Sequence, residues 1–372
     1  MILRPLARLL PAKPAVRRSV PPRRRRSARR ALLWGAAAVF LTHLGLAVAV
    51  ETSLPHLRDP EYGYRQLRVS EHQTAHPDRP LVLVLGTSRT RNAIDPSAMG
   101  LPDAPGSPLV FNAGQGGAWP VHFRLNLQRY RAAGVRPAAV LVELLPATLS
   151  RPGPADAMFA EFAPRLSAAD LRRLGPYLAD PAPLYRRWAL SRANSWHALR
   201  WVVIDNLAPG WQPSKPDDPT RLMLDGYGFS PYGHETVSDE LRQRQRAVVE
   251  SVFAYAAGHV QVSELSERAL RDLVADCRAA GIAVGFFLAP ESPVFRSWYT
   301  PASRAALAAF TRVLSDELGC PVFDAPTDYG EDDFADGHHM LRPAARRFSR
   351  ELADRHLGPW LASVRPPVGD RR

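Results

Sequence analysis

The stretch "LVLVLGTSRT", residues 81 to 90, decides the fold because five apolar residues run without interruption into Gly86, Thr87 and Ser88. An apolar run that ends in small polar residues is typical of a strand buried on both faces of a parallel sheet. The serine at its end has two interpretations. It is a nucleophile at the edge of the sheet, or it is the N-cap of the next helix, a position that serine favours.

Four further apolar runs repeat this pattern: "LVFNAG" (109–114), "AAVLVELL" (138–145), "IAVGFFLAP" (282–290) and "CPVFDA" (320–325). Stretches with helical periodicity separate them, at 119–133, 262–279, 301–318 and 342–357. The alternation predicts an α/β fold, a three-layer α/β/α domain with a mostly parallel open sheet over residues 79–362. It breaks off between about 151 and 258, which we interpret as a helical insertion. We expect the aromatic residues Trp188, Trp196 and Trp201 of this insertion to lie in a core or an interface.

The segment "ALLWGAAAVFLTHLGLAVAV", residues 31–50, is uncharged and long enough to cross a bilayer as a helix. Eleven basic residues and no acidic ones precede Ala31. The positive-inside rule therefore places the N-terminus in the cytoplasm and the remainder in the periplasm or outside the cell. We predict a disordered basic tail at 1–30, a single-pass inner-membrane anchor at 31–50, a linker at 51–78 and a disordered tail at 363–372. A signal peptide cleaved near "LAVAVE" is the alternative.

The charge of the chain argues against a nucleic-acid partner. Of the formal net charge of +12, eleven positive charges lie before Ala31, so the rest of the chain is almost neutral. Two cysteines, Cys277 and Cys320, define neither a disulfide framework nor a metal site, and both a disulfide and two buried thiols remain open. We expect no metal and no cofactor.

The ends of the predicted strands bring together residues suited to acyl transfer. Serine is a weak nucleophile and needs a histidine base, which a carboxylate orients. The segment "FADGHHMLRPAARRF" (334–348) supplies Asp336 and His339 three residues apart, a spacing that favours His339 over the adjacent His338. Backbone N–H groups of Ser88 and of the glycine-rich "NAGQGGA" (112–118) would stabilise an oxyanion. Glu143 ends a strand at the same edge, but we assign it a structural role.

In this order, "VLVLGTSRTRNAIDP", "FNAGQGGA" and "FADGHHMLRPAARRF" resemble blocks I, II and V of the SGNH (GDSL-type) hydrolase superfamily. The anchor and insertion are similar to its membrane-anchored bacterial branch, which includes AlgJ-, AlgX- and DltD-like proteins. The resemblance implies Ser88 as nucleophile, His339 as base, Asp336 as its orienting acid, and Gly117 with Ser88 as oxyanion donors. It further implies an SGNH or flavodoxin-like sheet and an esterase or O-acyltransferase. The substrate would be an acylated cell-surface glycan or related polymer, and a membrane-bound acyltransferase is a further candidate partner.

One block departs from the family pattern. Block III, Gly-x-Asn-Asp, should fall near residues 143–146, where this sequence reads "ELLP" and lacks the asparagine donor. A slower enzyme, a rearranged site and a catalytically inactive module of a polysaccharide assembly complex all remain open. Arg89, Asn112 and Arg296 are candidate substrate-binding residues. A nucleotide site is disfavoured because the chain has neither Gly-x-Gly-x-x-Gly nor a Walker lysine.

Overall fold

The computed structural model describes residues 22–150, 156–208, 211, 224–232, 235–324 and 326–364. Its centre is a parallel sheet in which all five predicted strands pair. The strands are β1 (Leu81–Leu85), β2 (Leu109–Asn112), β3 (Ala139–Glu143), β4 (Ala283–Phe287) and β5 (Val322–Phe323). They lie in the order β2-β1-β3-β4-β5, with β1 central between β2 and β3. The predicted α/β class and the parallel sheet are confirmed.

Helices precede and follow the strands along the chain. They are α1 (Pro22–Thr52), α2 (Pro55–Arg58), α3 (Pro60–Ala75), α4 (Ser88–Ala93), α5 (Pro120–Ala132), α6 (Pro146–Leu149), α7 (Asp156–Phe162), α8 (Ala168–Leu174), α9 (Ala182–Ala193), α10 (Ser195–Leu207), α11 (Asp239–Gly258), α12 (Glu264–Ala279), α13 (Pro293–Ser297), α14 (Pro301–Arg312), α15 (Arg342–Leu352) and α16 (Gly358–Ser363). Single π-helical turns at Val313–Glu317 and Ala353–Leu357 extend α14 and α15.

Successive residues of β1 point to opposite faces of the sheet, and both faces are covered. Leu81, Leu83 and Leu85 pack in one cluster with side chains of α3, α5 and α12. Val82 and Val84 pack in a second cluster with α4, α15 and α16. This two-sided burial explains why the strands read as continuous apolar runs, and it gathers the loops that follow them at one edge of the sheet.

The N-terminal boundaries differ from those expected from the sequence. Helix α1 begins at Pro22, so the end of the basic segment is helical, while residues 1–21 lie outside the described residues. The expected linker, 51–78, instead forms α2 and α3, and Tyr62 and Val69 of α3 belong to the main core. The polar sequence of α3 hid this because only one side of the helix is buried. Among the described residues, one helix segment, Arg26–Thr52, is long and apolar enough to cross a membrane.

A buried ion cluster joins α3, α5 and the insertion. Arg129 donates to Asp59 Oδ2 at 2.9 Å and to Asp170 Oδ2 at 2.8 Å. All three side chains are at most 5% exposed. Burial alone would raise the pKa of Asp170, but the charge and hydrogen bonds of Arg129 lower it well below its ordinary value. Asp170 therefore remains ionised, and the contacts of Arg129 with both carboxylates hold the three segments together.

Replacing Arg129 should destabilise the protein strongly. Arg129→Ala leaves two buried carboxylates without their cation, and we expect a loss of about 3–5 kcal/mol in the free energy of unfolding. Denaturant titration of the detergent-solubilised protein measures this. Arg271→Ala removes a largely solvated arginine with two ion pairs and should lose less than about 1 kcal/mol. Equal losses for the two variants would contradict the assignment of a buried cluster.

Candidate active site

Ser88 lies where β1 turns into α4. Thr87, not Ser88, is the N-cap of α4, since its Oγ1 accepts a hydrogen bond from the Arg89 N–H at 3.1 Å. The capping function is thus performed by the neighbour. Ser88 is partly exposed, and its hydroxyl is available for another partner.

Asp336 and His339 lie in a closed turn before α15. An antiparallel bridge between Phe334 and Met340 closes the turn, and Gly337 takes a left-handed conformation at its tip, with φ of +82°. Asp336 Oδ1 accepts the backbone N–H groups of His338 at 2.9 Å and His339 at 2.7 Å. The carboxylate therefore fixes the turn that carries the histidine.

The side chains of Ser88, His339 and Asp336 form one hydrogen-bonded chain. His339 Nδ1 lies 2.7 Å from Asp336 Oδ2, and His339 Nε2 lies 2.8 Å from Ser88 Oγ. Burial alone would raise the pKa of Asp336, but the charge of His339 and the hydrogen bonds from both histidines lower it below its ordinary value. An ionised Asp336 accepts the Nδ1 proton of the imidazole, which leaves Nε2 as the base facing the serine.

The glycine loop after β2 lies beside this chain. Gly117 is exposed and has φ of +69°, a conformation that disfavours a side chain. Within the described part of the chain, neither the Gly117 N–H nor the Ser88 N–H has a hydrogen-bond partner. The neighbouring Gly116 N–H, by contrast, donates to Glu61 Oε1 of α3 at 2.9 Å. The two free donors are available for a developing oxyanion.

The end of β3 supplies no side-chain donor to the site. Leu144 and Leu145 are at most 2% exposed, and the Leu144 N–H donates to the Phe287 carbonyl at 2.8 Å. The residues that occupy the place of the block III asparagine are thus apolar and buried. A side-chain donor to an oxyanion would therefore have to come from another segment.

Glu143, the last residue of β3, binds the turn from Thr87 to Thr90 that carries Ser88. Its Oε2 accepts from the Thr87 N–H at 2.7 Å, the Thr87 hydroxyl at 2.9 Å and the Thr90 hydroxyl at 2.7 Å. Its Oε1 lies 3.6 Å from Arg89 Nε. The carboxylate is fully buried, and its contacts link β3 to the first turn of α4.

The Arg89 side chain is buried and paired, whereas a substrate-binding side chain would face solvent. Its side chain is 2% exposed and donates to Glu291 Oε1 at 2.9 Å and to the carbonyls of Ala289 at 2.7 Å and Pro290 at 2.9 Å. Burial alone would lower its pKa, but Glu291 and Glu143 raise it. The guanidinium therefore ties α4 to the loop after β4 and points away from solvent.

Asn112 and Arg296 also have structural partners. Asn112 is fully buried, donates to the Thr90 and Ile94 carbonyls, and accepts the Gly114 N–H at 2.9 Å. It thereby fastens the end of α4 to the glycine loop. Arg296 donates to the Glu291 carbonyl and lines a cleft of about 250 Å³ whose lining includes neither Ser88 nor His339. The structure does not bring these two residues to the serine.

Two aromatic contacts at the site were missed from the sequence. The Tyr232 ring stacks on His339 with centroids 5.4 Å apart and an interplanar angle of 19°. Tyr227, five residues earlier, stacks on His72 instead, and His234 lies outside the described residues. The only available signal was the aromatic content of "DGYGFSPYGHE".

His338 forms the other missed contact, behind the base. Its ring lies 4.6 Å from that of His339 and stacks on Phe253 at 4.5 Å and on Phe295 at 5.3 Å. Burial, and then the charges of His339 and Arg89, lower the pKa of His338 well below its ordinary value. A neutral His338 imidazole therefore packs against the His339 ring.

Comparison of the chain with protein-family models gives no match, and comparison with curated proteins gives none either.

Cys277 and Cys320 are both buried and free. No group of three His, Cys, Asp or Glu side chains in the described ranges is arranged to hold a metal ion.

Glu143→Gln should weaken the hydrogen bonds that hold the turn from Thr87 to Thr90 while preserving the shape of the side chain. If the amide oxygen keeps the three bonds to Thr87 and Thr90, the amide NH₂ faces Arg89 in place of a carboxylate oxygen. We expect a loss of about 1–3 kcal/mol in unfolding free energy and slower reaction of Ser88 with a serine probe. Glu71→Gln alters an exposed glutamate and is the matched control. Unchanged stability and reactivity in Glu143→Gln would contradict this role.

His338 should make the protein less stable in acid. The unfolded chain protonates this histidine near pH 6.5, whereas the folded protein does not, so stability falls as pH drops below that value. His338→Phe should remove up to about 1.4 kcal/mol per pH unit of this decline, measured by unfolding titrations between pH 7.5 and 5.5. The same substitution at the exposed His259 should leave the decline unchanged. An identical pH dependence in His338→Phe would argue against a neutral buried imidazole.

Proposed function

We propose that this protein is a membrane-anchored SGNH-type serine esterase or O-acyltransferase. It acts outside the cytoplasm on an acylated cell-surface glycan or related polymer. The observation that supports this most is the hydrogen-bonded chain from Ser88 Oγ through His339 to Asp336, drawn from segments 251 residues apart. Solvated turn residues have no need of such an arrangement. The order β2-β1-β3-β4-β5 is consistent with a flavodoxin-like sheet of the SGNH kind.

The geometry supports a two-step acyl transfer. Ser88 Oγ attacks the carbonyl carbon of the ester while its proton passes to His339 Nε2. Asp336 stabilises the resulting imidazolium through Nδ1. Backbone N–H groups of Ser88 and Gly117 would bind the oxyanion, after which the imidazolium protonates the departing alcohol. An acyl-serine remains.

The second step decides between hydrolysis and transfer. His339, again neutral, takes a proton from the incoming nucleophile as it attacks the acyl-serine. The imidazolium then returns the proton to Ser88 Oγ as the acyl–oxygen bond breaks, which restores the free serine. Water gives an esterase, and a sugar hydroxyl gives a transferase. Because the acyl-serine is the same for both, only the acceptor distinguishes an esterase from a transferase.

The proposed location rests on α1. The 27-residue segment Arg26–Thr52 is apolar and almost wholly exposed, as expected of a membrane span. Arginines at its N-terminal side favour a cytoplasmic N-terminus and an external catalytic domain. The first residues after the span are ordered against that domain, which favours a retained anchor over a cleaved signal.

An inactive module of a polysaccharide assembly complex is the second candidate. The buried Leu144 and Leu145 at the end of β3 favour it, because one oxyanion donor typically contributes about 10²–10³-fold to turnover. The intact contacts of Ser88 with His339 favour catalysis. Covalent labelling distinguishes the two.

A fluorophosphonate probe should label Ser88 in the full-length protein in membranes, with the site mapped by mass spectrometry. Ser88→Ala should abolish labelling and His339→Ala should reduce its rate by at least about 10²-fold. Asp336→Asn should lower p-nitrophenyl acetate turnover by up to about 10⁴-fold, because the imidazole loses the acceptor that sets its tautomer.

Ser297→Ala and His259→Ala are the matched controls, since Ser297 ends α13, His259 follows α11, and their side chains bond to the carbonyls of Val294 and Tyr255. Both should label like the unmodified protein. Labelling at another serine, or labelling that persists in His339→Ala, would contradict the assignment of the nucleophile and base. No labelling, together with acetate release that does not depend on Ser88, would favour the inactive module.

A further inference from the structure

Two helices of the insertion pack against the end of α1. Val50 of α1 is fully buried with Leu199 and Val203 of α10, and Leu46 packs on the same cluster. Leu46 and Val50 belong to the apolar segment that is long enough to cross a membrane. Helix α10 therefore lies beside the last turns of that segment.

The attachment of α1 to the domain is polar as well as apolar. Glu51 Oε2 lies 3.3 Å from Arg192 Nη2 of α9, and Glu51 Oε1 accepts the Ala168 N–H at 2.6 Å. Arg58 donates to the Val50 carbonyl at 2.9 Å. These contacts fix the direction in which α1 leaves the domain, so the surface beside α1 has a defined relation to it.

That surface exposes large apolar side chains. Leu190 and Tyr185 of α9 are 62% and 41% exposed, and Trp196 and Trp201 of α10 are 48% and 54% exposed. The sequence favours a core or an interface for these tryptophans, and neither Trp196 nor Trp201 is in the core. Large apolar side chains left exposed on two helices that both pack against α1 mark a contact with another phase or molecule.

The composition of this surface suits a bilayer interface. Tryptophan and tyrosine concentrate at the level of lipid headgroups, where an apolar ring and a polar edge are both satisfied. Arg186 and Arg187 are exposed on α9, and the Arg200 guanidinium lies 5.1 Å from the Trp201 ring centroid. Arginines at this level can reach lipid phosphates while their stems cover apolar surface.

We propose that α9 and α10 form a membrane-contacting surface, with Leu190, Trp196 and their aromatic neighbours in the headgroup region of the bilayer that α1 spans. The occupant is lipid because the surface is continuous with the span through Val50 and Leu199. This inference rests on the anchored part of the proposed function and is independent of the chemistry at Ser88.

Helix α11 provides a comparison within the same chain. Val248, Val252 and Tyr255 are 64%, 57% and 77% exposed, so this helix also exposes large apolar side chains. It packs against α6 and the side chain of Phe295. A bilayer contact set by α1 should reach α9 and α10 but leave α11 in water.

Nitroxide labels on single introduced cysteines test the proposal in the full-length protein in nanodiscs of phosphatidylcholine and phosphatidylglycerol. The native Cys277 and Cys320 are buried, and the unsubstituted chain sets the background label. Collision with oxygen reports lipid, and collision with a water-soluble nickel chelate reports solvent. Leu190→Cys and Trp196→Cys should favour oxygen several-fold relative to Tyr255→Cys. Phe40→Cys, within the span, should favour it most.

Each of the following label patterns would contradict the proposal in a different way. Solvent-like labels at 190 and 196 with a lipid-like label at 40 would overturn the surface and leave the anchor intact. Labels at 190 and 196 shielded from both reagents would overturn it in favour of a protein contact, such as a second copy. A solvent-like label at 40 would overturn the span and with it the surface, whereas probe labelling of Ser88 tests the catalytic proposal separately.

Discussion

The Arg129 guanidinium, buried between Asp59 and Asp170, is the constraint on which the arrangement of the molecule depends. It lies on α5, which covers one face of the sheet, and it holds Asp59 at the start of α3 and Asp170 in the first turn of α8. Charges removed from water need nearly complete pairing, so the three segments have little freedom to separate. The helices that follow α1 and the helices of the insertion thereby become parts of one domain.

A second set of buried charges shapes the site from beneath. Glu143, Arg89 and Glu291 extend from the end of β3 to the loop after β4, and none of them faces the serine. Their contacts set the backbone at Thr87, so the hydroxyl of Ser88 meets the imidazole of His339. The reactive groups are few and neutral or singly charged, while the supporting charges stay out of solvent. Around Ser88, the residues that position the backbone are therefore different from the proposed catalytic residues.

The sequence predicted those features that depend on periodicity and on short-range spacing. All five strands were found because burial on both faces requires continuous apolar residues. Asp336 and His339 were found because three residues on one turn bring a carboxylate to an imidazole, and their pairing with Ser88 followed from where parallel strands end.

The features that were missed depend on tertiary partners. Helix α3 was read as linker because its buried side includes Arg65, a residue that is almost never fully buried in isolation. Arg89 and Asn112 were read as substrate ligands because their polarity is visible in the sequence and their partners are not. Tyr232 reaches His339 from a loop whose path no local pattern describes.

The contacts of Glu51 with Arg192 and of Arg58 with Val50 fix the domain to α1, which limits the positions that the domain can sample. A catalytic head on a flexible tether samples a hemisphere of positions, and its encounters are set by the length of the tether. A head fixed to its anchor samples only rotation about the membrane normal and drift within the plane. Under the proposed function, Ser88 would then act at one height above the lipid, and polymers would be acylated or deacylated only where they pass through that layer.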